Sequence, residues 1–266
     1  MTPVSVTQGC SPIVLGLPHT GTFVPDDVSA NLNENGRKLA DTDWHIDKLY
    51  DGLIPNLTTV RANFHRYVID ANRDPEGASL YPGQNTTTLV PLTDFDGLNI
   101  WDTPPTEADV AARRSAFHAP YHNALTTELD RVRDIHGIAI LYDCHSIRSH
   151  IPHLFEGFLP DFNIGTNLGT TCADRIEAAT VEICKHAEGY SNTLNGRFKG
   201  GWTTRHYGHP ALGIHAIQME LAQSVYLTDE AAPWTYDQAR ADRLRPHLTQ
   251  ILIALAELAP SLGGTQ

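Results

Sequence analysis

Three stretches of the chain put metal-binding side chains close to the ends of apolar runs or at the start of a helical pattern. His145 lies in Tyr142-Asp143-Cys144-His145-Ser146, behind the apolar run 137–143 (GIAILYD). An imidazole just past a buried strand is well placed to hold a metal ion, because the strand fixes its position. Asp143, two residues back, could orient it. The plainer reading is a hydrogen-bonded histidine at a strand end. His19 follows the run 12–17 (PIVLGL), between Pro18 and Thr20-Gly21, where a simple turn histidine is the alternative. Asp43 opens the helical pattern of residues 43–54 (DWHIDKLYDGLI), a natural helix N-cap; one carboxylate oxygen can cap while the other binds metal. Two imidazoles, one carboxylate and an open position make a catalytic zinc site, whereas structural zinc sites are closed by four ligands, often Cys. Cys10, Cys144, Cys172 and Cys184 form no Cys-x-x-Cys pair, so nothing supports a structural site.

Proton transfer and anion binding have their own candidates. Glu220 stands in an otherwise apolar strand pattern (IHAIQMEL), where a carboxylate is costly unless paired or functional. A desolvated Glu beside a metal-activated water is the expected general base. Asp70-Ala71-Asn72-Arg73 ends another apolar run, 66–71. An Arg fork matches a carboxylate bidentately and Asn adds a directional donor; a surface salt bridge is the alternative. Arg66, seven residues before Arg73, could stabilise a developing oxyanion.

These residues need a scaffold that brings strand ends together. Apolar runs at 12–17, 66–71, 137–143 and 213–221 read as strands. Helical patterns occupy 43–54, 106–136, 170–189 and 236–259. In the second of these, Thr106 and Asp109 form a start signal and Pro120 is a kink position. Residues 76–105, rich in Gly, Pro, Thr and Asn, read as a functional loop, and 195–209 (NGRFKGGWTTRHYGH) as a Gly-rich cationic loop. Strands alternating with helices predict an α/β fold, one central sheet covered on both faces, with ligands at the carboxyl ends of strands.

The 266 residues suit a single domain spanning 1–266. A composition of 41% hydrophobic and 19% charged residues is that of an ordinary globular protein. A formal net charge of −12 repels phosphate backbones and anionic lipid, which argues against nucleic acid and membrane partners. It also means that an anionic substrate needs a local pocket of arginines. The first 21 residues have no basic n-region, and their short apolar run is broken by Pro12, Gly16 and Pro18. Neither a signal peptide nor a transmembrane span is expected, and the sparse cysteines fit a reducing, cytoplasmic setting.

The motifs PHTGT, DTDWHIDKLYD, HRYVIDANRDP, LYDCHSIRS, DFNIGTN, NGRFKGGWTTRHYG and HAIQMEL together resemble the N-formylglutamate amidohydrolase family, in the same order and from about residue 12 to about residue 230. That family is similar to zinc carboxypeptidases and aspartoacylases. The resemblance implies a three-layer α/β/α sandwich with a central mixed sheet, of the zinc-carboxypeptidase (phosphorylase/hydrolase-like) type. It implies hydrolysis of N-formyl-L-glutamate to formate and L-glutamate, in histidine degradation, with one zinc ion, another divalent metal being the alternative. By position it places the metal on His19 and His145. The carboxypeptidase pattern would put a Glu three residues after the first histidine, but Thr22 stands there. The third ligand is therefore assigned to Asp43, with Asp41 and His45 as alternatives. Resemblance also makes Glu220 the general base, Arg66 the oxyanion arginine, and Asn72 with Arg73 the grip on one substrate carboxylate. Arg148, Arg197 and Arg205 are candidates for the other. A deacylase for another N-acyl amino acid and a non-catalytic binding protein for acidic metabolites are the competing readings.

Overall fold

Strand alternation decides what the sheet presents to each side, and here it separates a dry face from a polar one. The computed structural model describes residues 2–78 and 86–263. Its strands are β1 (Val4–Thr7), β2 (Ile13–Leu17), β3 (Thr58–Ala62), β4 (Ala139–Ile147), β5 (Phe162–Gly165), β6 (Asn192–Leu194) and β7 (Ile214–Ala222). They form one mixed sheet in the order β1-β3-β2-β4-β7-β5-β6. The four central strands β3, β2, β4 and β7 run parallel, while β1 and β5 pair antiparallel to their inner neighbours. The helices are α1 (Asp26–Asn31), α2 (Ile46–Tyr50), α3 (Glu107–Arg113), α4 (Ala119–His136), α5 (Asp174–His186), α6 (Trp202–Tyr207) and α7 (Gln238–Leu258).

Along β4, Ile140, Tyr142 and Cys144 point to one face, where they join Ile217, Met219 and Leu221 of β7 under α2, α5 and α7. The alternate residues point to the other face. There Ala139, Leu141 and Ala216 pack under Tyr121, Leu125, Leu129 and Val132 of α4. Continuing those two polar-side rows toward the carboxyl ends gives Asp143 and His145 on β4, and Gln218 and Glu220 on β7. The parallel register sets Asp143 beside Gln218 and His145 beside Glu220. All nine residues of β4 are buried, as expected of a central parallel strand.

The long helical pattern begins with the expected capping box, Thr106 and Asp109 each bonding the other's backbone N–H. Before Pro120 the ladder opens into a π turn at Arg114–His118. A proline lacks the N–H and crowds the carbonyl four residues back, so one wider turn admits it without ending the helix.

Three expectations need correction. The strand beside β2 is Thr58–Ala62, not residues 66–71. Tyr67, Val68 and Ile69 are apolar because they pack in the core beneath a loop, and Asp70 N–H bonds Leu89 O at 2.7 Å rather than a strand. The 195–209 segment is not all loop, since α6 lies within it. In the 43–54 pattern only Ile46–Tyr50 is helical, and its N-cap is His45, not Asp43. Among the described residues, no helix is long and apolar enough to cross a membrane.

Candidate active site

His19, just past β2, and His145, near the end of β4, are brought together with their Nδ1 atoms 3.2 Å apart. Asp43 Oδ2 lies 3.7 Å from the first and 3.3 Å from the second. On the far side of each ring a carboxylate waits: His19 Nε2 is 2.7 Å from Asp70 Oδ1, and His145 Nε2 is 3.1 Å from Asp143 Oδ1. With each ring protonated at Nε2, on the side of its carboxylate, both Nδ1 lone pairs would face inward beside a third carboxylate oxygen. Three converging lone pairs repel unless a cation lies among them. The edges of this triangle also match the roughly 3.3 Å spanned by tetrahedral ligands with bonds of about 2.0–2.1 Å. The donor set therefore fits a divalent metal ion. Among the described residues it is the one group of His, Cys, Asp and Glu whose ligand atoms converge in this way.

Asp43 is prepared for that role on both oxygens. Oδ1 accepts from Arg66 Nη2 at 2.9 Å, and Oδ2 accepts from Ser146 N–H at 3.1 Å. Burial works against its charge, but Arg66 and the two imidazoles outweigh it and hold the carboxyl well below the usual range. The neighbouring candidates face elsewhere. Asp41 Oδ2 accepts from Tyr67 OH at 2.8 Å and from Phe95 N–H at 2.9 Å. His45 Nε2 lies 2.9 Å from Trp234 O.

Glu220 borders the same hollow and is 7% exposed, with Gln218 Nε2 donating to its Oε2 at 3.0 Å. Burial raises its carboxyl, against the pull of His145. A carboxylate beside a metal position, buried but open to the cavity, can take up and release a proton. Asn72 lies against His145, with Nδ2 3.3 Å from its Nε2, and Asn72 Oδ1 accepts from Thr203 N–H at 2.8 Å at the start of α6. Gly201 packs on this amide so closely that a Cβ there would lie 2.6 Å from Asn72 Oδ1.

The arginines divide. Arg66, Arg73 and Arg197 line the cavity, together with apolar Leu89, Phe95 and Phe198. Arg73 spends three N–H groups on Thr87 O, Thr87 Oγ1 and Asn72 O, at 2.8–3.0 Å. Arg197 Nε donates to Leu154 O at 3.1 Å. Arg148 pairs with Asp96 at 2.9 Å and Arg205 donates to Gly200 O at 2.9 Å; neither borders the cavity. Sequence reasoning passed over Asp70 as the partner of His19 and Gln218 as the partner of Glu220. The second carries a legible signal, since period two puts residues 218 and 220 on one face of a strand.

A family model described as N-formylglutamate amidohydrolase matches residues 11–227. The chain is 43% identical over 255 residues to the N-formylglutamate deformylase of Pseudomonas aeruginosa and 45% identical over 255 residues to that of Pseudomonas putida; each match covers 95% of both chains. Its fold superimposes on the crystal structure of N-formylglutamate amidohydrolase from Ralstonia eutropha JMP134 with a TM-score of 0.81, at 26% identity, covering 98% of this chain and 99% of that one. A gene product of Agrobacterium tumefaciens shares the fold, with a TM-score of 0.73 at 17% identity, covering 97% of this chain and 96% of that one. The chain belongs to the N-formylglutamate amidohydrolase family and is an amidohydrolase.

Proposed function

We propose that this protein hydrolyses N-formyl-L-glutamate to formate and L-glutamate, as a cytoplasmic zinc enzyme of histidine degradation. The observation that carries the reading is the convergence of His19, Asp43 and His145 beside Glu220, in a chain 43–45% identical to two N-formylglutamate deformylases. A zinc ion held by His19, Asp43 and His145 supplies Lewis acidity, polarising an amide carbonyl and lowering the pKa of water to about 7. Glu220 takes the proton from the attacking water and returns it to the leaving amide nitrogen, so that water and formamide become formate and amine. Arg66, which gives one N–H to Asp43, has others for the oxyanion that forms as the carbonyl is attacked. Arg73 and Asn72 hold one substrate carboxylate. Arg197, on the cavity wall, is the stronger of the remaining candidates for the other, ahead of Arg148 and Arg205.

Formate release from purified protein of known metal content tests this reading, with N-formylglutamate, N-acetylglutamate and N-formylleucine as substrates. N-formylglutamate should be cleaved best, and activity should follow the zinc content. Equal turnover of N-formylleucine would overturn the glutamate assignment, and faster turnover of N-acetylglutamate the formyl assignment.

A further inference from the structure

The turn that carries Asp43 is poorly supported from within. His45 has a left-handed backbone (φ 60°, ψ 15°), uncommon for a residue other than glycine, and starts α2 with no side-chain cap. Trp44 N–H bonds only two residues back, to Thr42 O at 2.9 Å, and Ile46 N–H reaches Asp43 O at a long 3.4 Å. Asp43 N–H itself bonds His19 O at 3.1 Å, and further support comes from far along the chain. Gln223, three residues past Glu220, is buried and donates from Nε2 to Thr42 O at 2.9 Å. Trp234 stacks on Trp44, ring centroids 4.7 Å apart and planes 12° from parallel, and its carbonyl meets His45 Nε2 at 2.9 Å. Trp234 is itself left-handed, with φ 48°. Tyr226 OH donates to Ser146 Oγ at 2.7 Å, and the backbone N–H of that same serine holds Asp43 Oδ2.

We propose that residues 223–236 form a brace that positions Asp43 for metal binding. Gln223 and Trp234 are its positioning residues, acting on Thr42, Trp44 and His45; the proposal rests on the reading that Asp43 is a ligand. Two non-glycine residues in disfavoured backbone conformations touch one another next to a ligand, and such conformations persist where the surroundings over-determine them. The brace is continuous with β7, so it ties the position of Asp43 to the strand that carries Glu220 and, through Ser146, to the strand that carries His145. It supports a carboxylate that lies on no strand or helix, whereas His145 is held by β4.

The test is zinc affinity of chelator-stripped protein, read by competition with a chromophoric chelator, with apo-state thermal unfolding confirming that each variant folds. Trp234→Ala should weaken zinc binding roughly 10–100-fold, the range typical of lost support around a metal ligand, and Gln223→Met about tenfold. Trp234→Phe keeps a stacking ring and should stay within about threefold of the parent. The visible spectrum of the cobalt-substituted protein should change in Trp234→Ala and be restored in Trp234→Phe. Asp43→Ala is the reference: if it keeps parental zinc affinity, the ligand assignment itself fails. If Asp43→Ala loses zinc while folded Trp234→Ala and Gln223→Met bind it as tightly as the parent, the brace is overturned. Should Trp234→Ala not fold, Gln223→Met alone decides.

Discussion

The floor of the cleft is made by strands and its rim by loops, and charged side chains do different work in the two. On the floor, Asp143, His145, Gln218 and Glu220 follow from the alternation of two parallel strands whose register fixes which residues are neighbours. On the rim, Arg73 and Arg197, with Arg148 and Arg205 outside the cavity lining, each bind a carbonyl, hydroxyl or carboxylate of the protein itself. His145, Gln218 and Glu220 take their positions from strand register and border the cavity. Arg73 and Arg197 on the cavity wall commit donors to the scaffold. Mutations on the floor should therefore act on chemistry, and mutations on the rim on substrate binding and loop order.

The largest effect is expected for His145→Ala, which should lose bound zinc and bring formate release below detection. Elemental analysis beside the activity assay checks it, and a variant keeping one equivalent of zinc and full turnover would move the ligand elsewhere. Glu220→Gln should keep zinc and lose roughly 10²–10⁴-fold in kcat, since it removes a proton-transfer group and no ligand. Equal loss of metal would make Glu220 part of the metal site. Asp70→Asn replaces the carboxylate behind His19 and should weaken zinc binding roughly 10–100-fold.

Rim changes should be smaller and of another kind. Arg73→Ala should raise KM more than it lowers kcat, and Arg73→Lys should rescue it only in part, because an ammonium cannot reproduce the planar fork. A pure kcat effect would place Arg73 with the floor. Smallest of all, Arg148→Ala breaks a partly exposed pair with Asp96 worth about 0–1 kcal/mol, and should lower Tm by no more than about 2–4 °C. A tenfold rise in KM would instead make Arg148 a substrate contact.

The same division explains what could be read from the sequence. The apolar run of β2 ends just before His19, and the apolar runs of β4 and β7 are broken by a few polar residues, His145 and Glu220 among them, so period and composition find the elements and single out the candidate residues. The run at 66–71 misled for a physical reason: burial makes a segment apolar whether or not it pairs in a sheet. The helix pattern at 43–54 put Asp43 at a cap, where a short range of sequence cannot reveal bonds to Arg66 and Ser146 across the fold. The arginines were visible as cations, but which carbonyl each would meet depends on loop packing between segments far apart in the chain. Residues 79–85 of the expected 76–105 loop lie outside the described residues.

The contact between Gly201 and Asn72 makes position 201, on the cavity wall, an indirect handle on His145. The backbone there is extended enough for any residue (φ −75°), so only space forbids a side chain. One methyl group would push on an amide that touches His145 on one side and the first turn of α6 on the other. A chain that acquired alanine at 201 would carry His19, Asp43, His145, Glu220 and every arginine unchanged and still have a displaced amide against His145. An inventory of functional residues alone would score such a variant as intact.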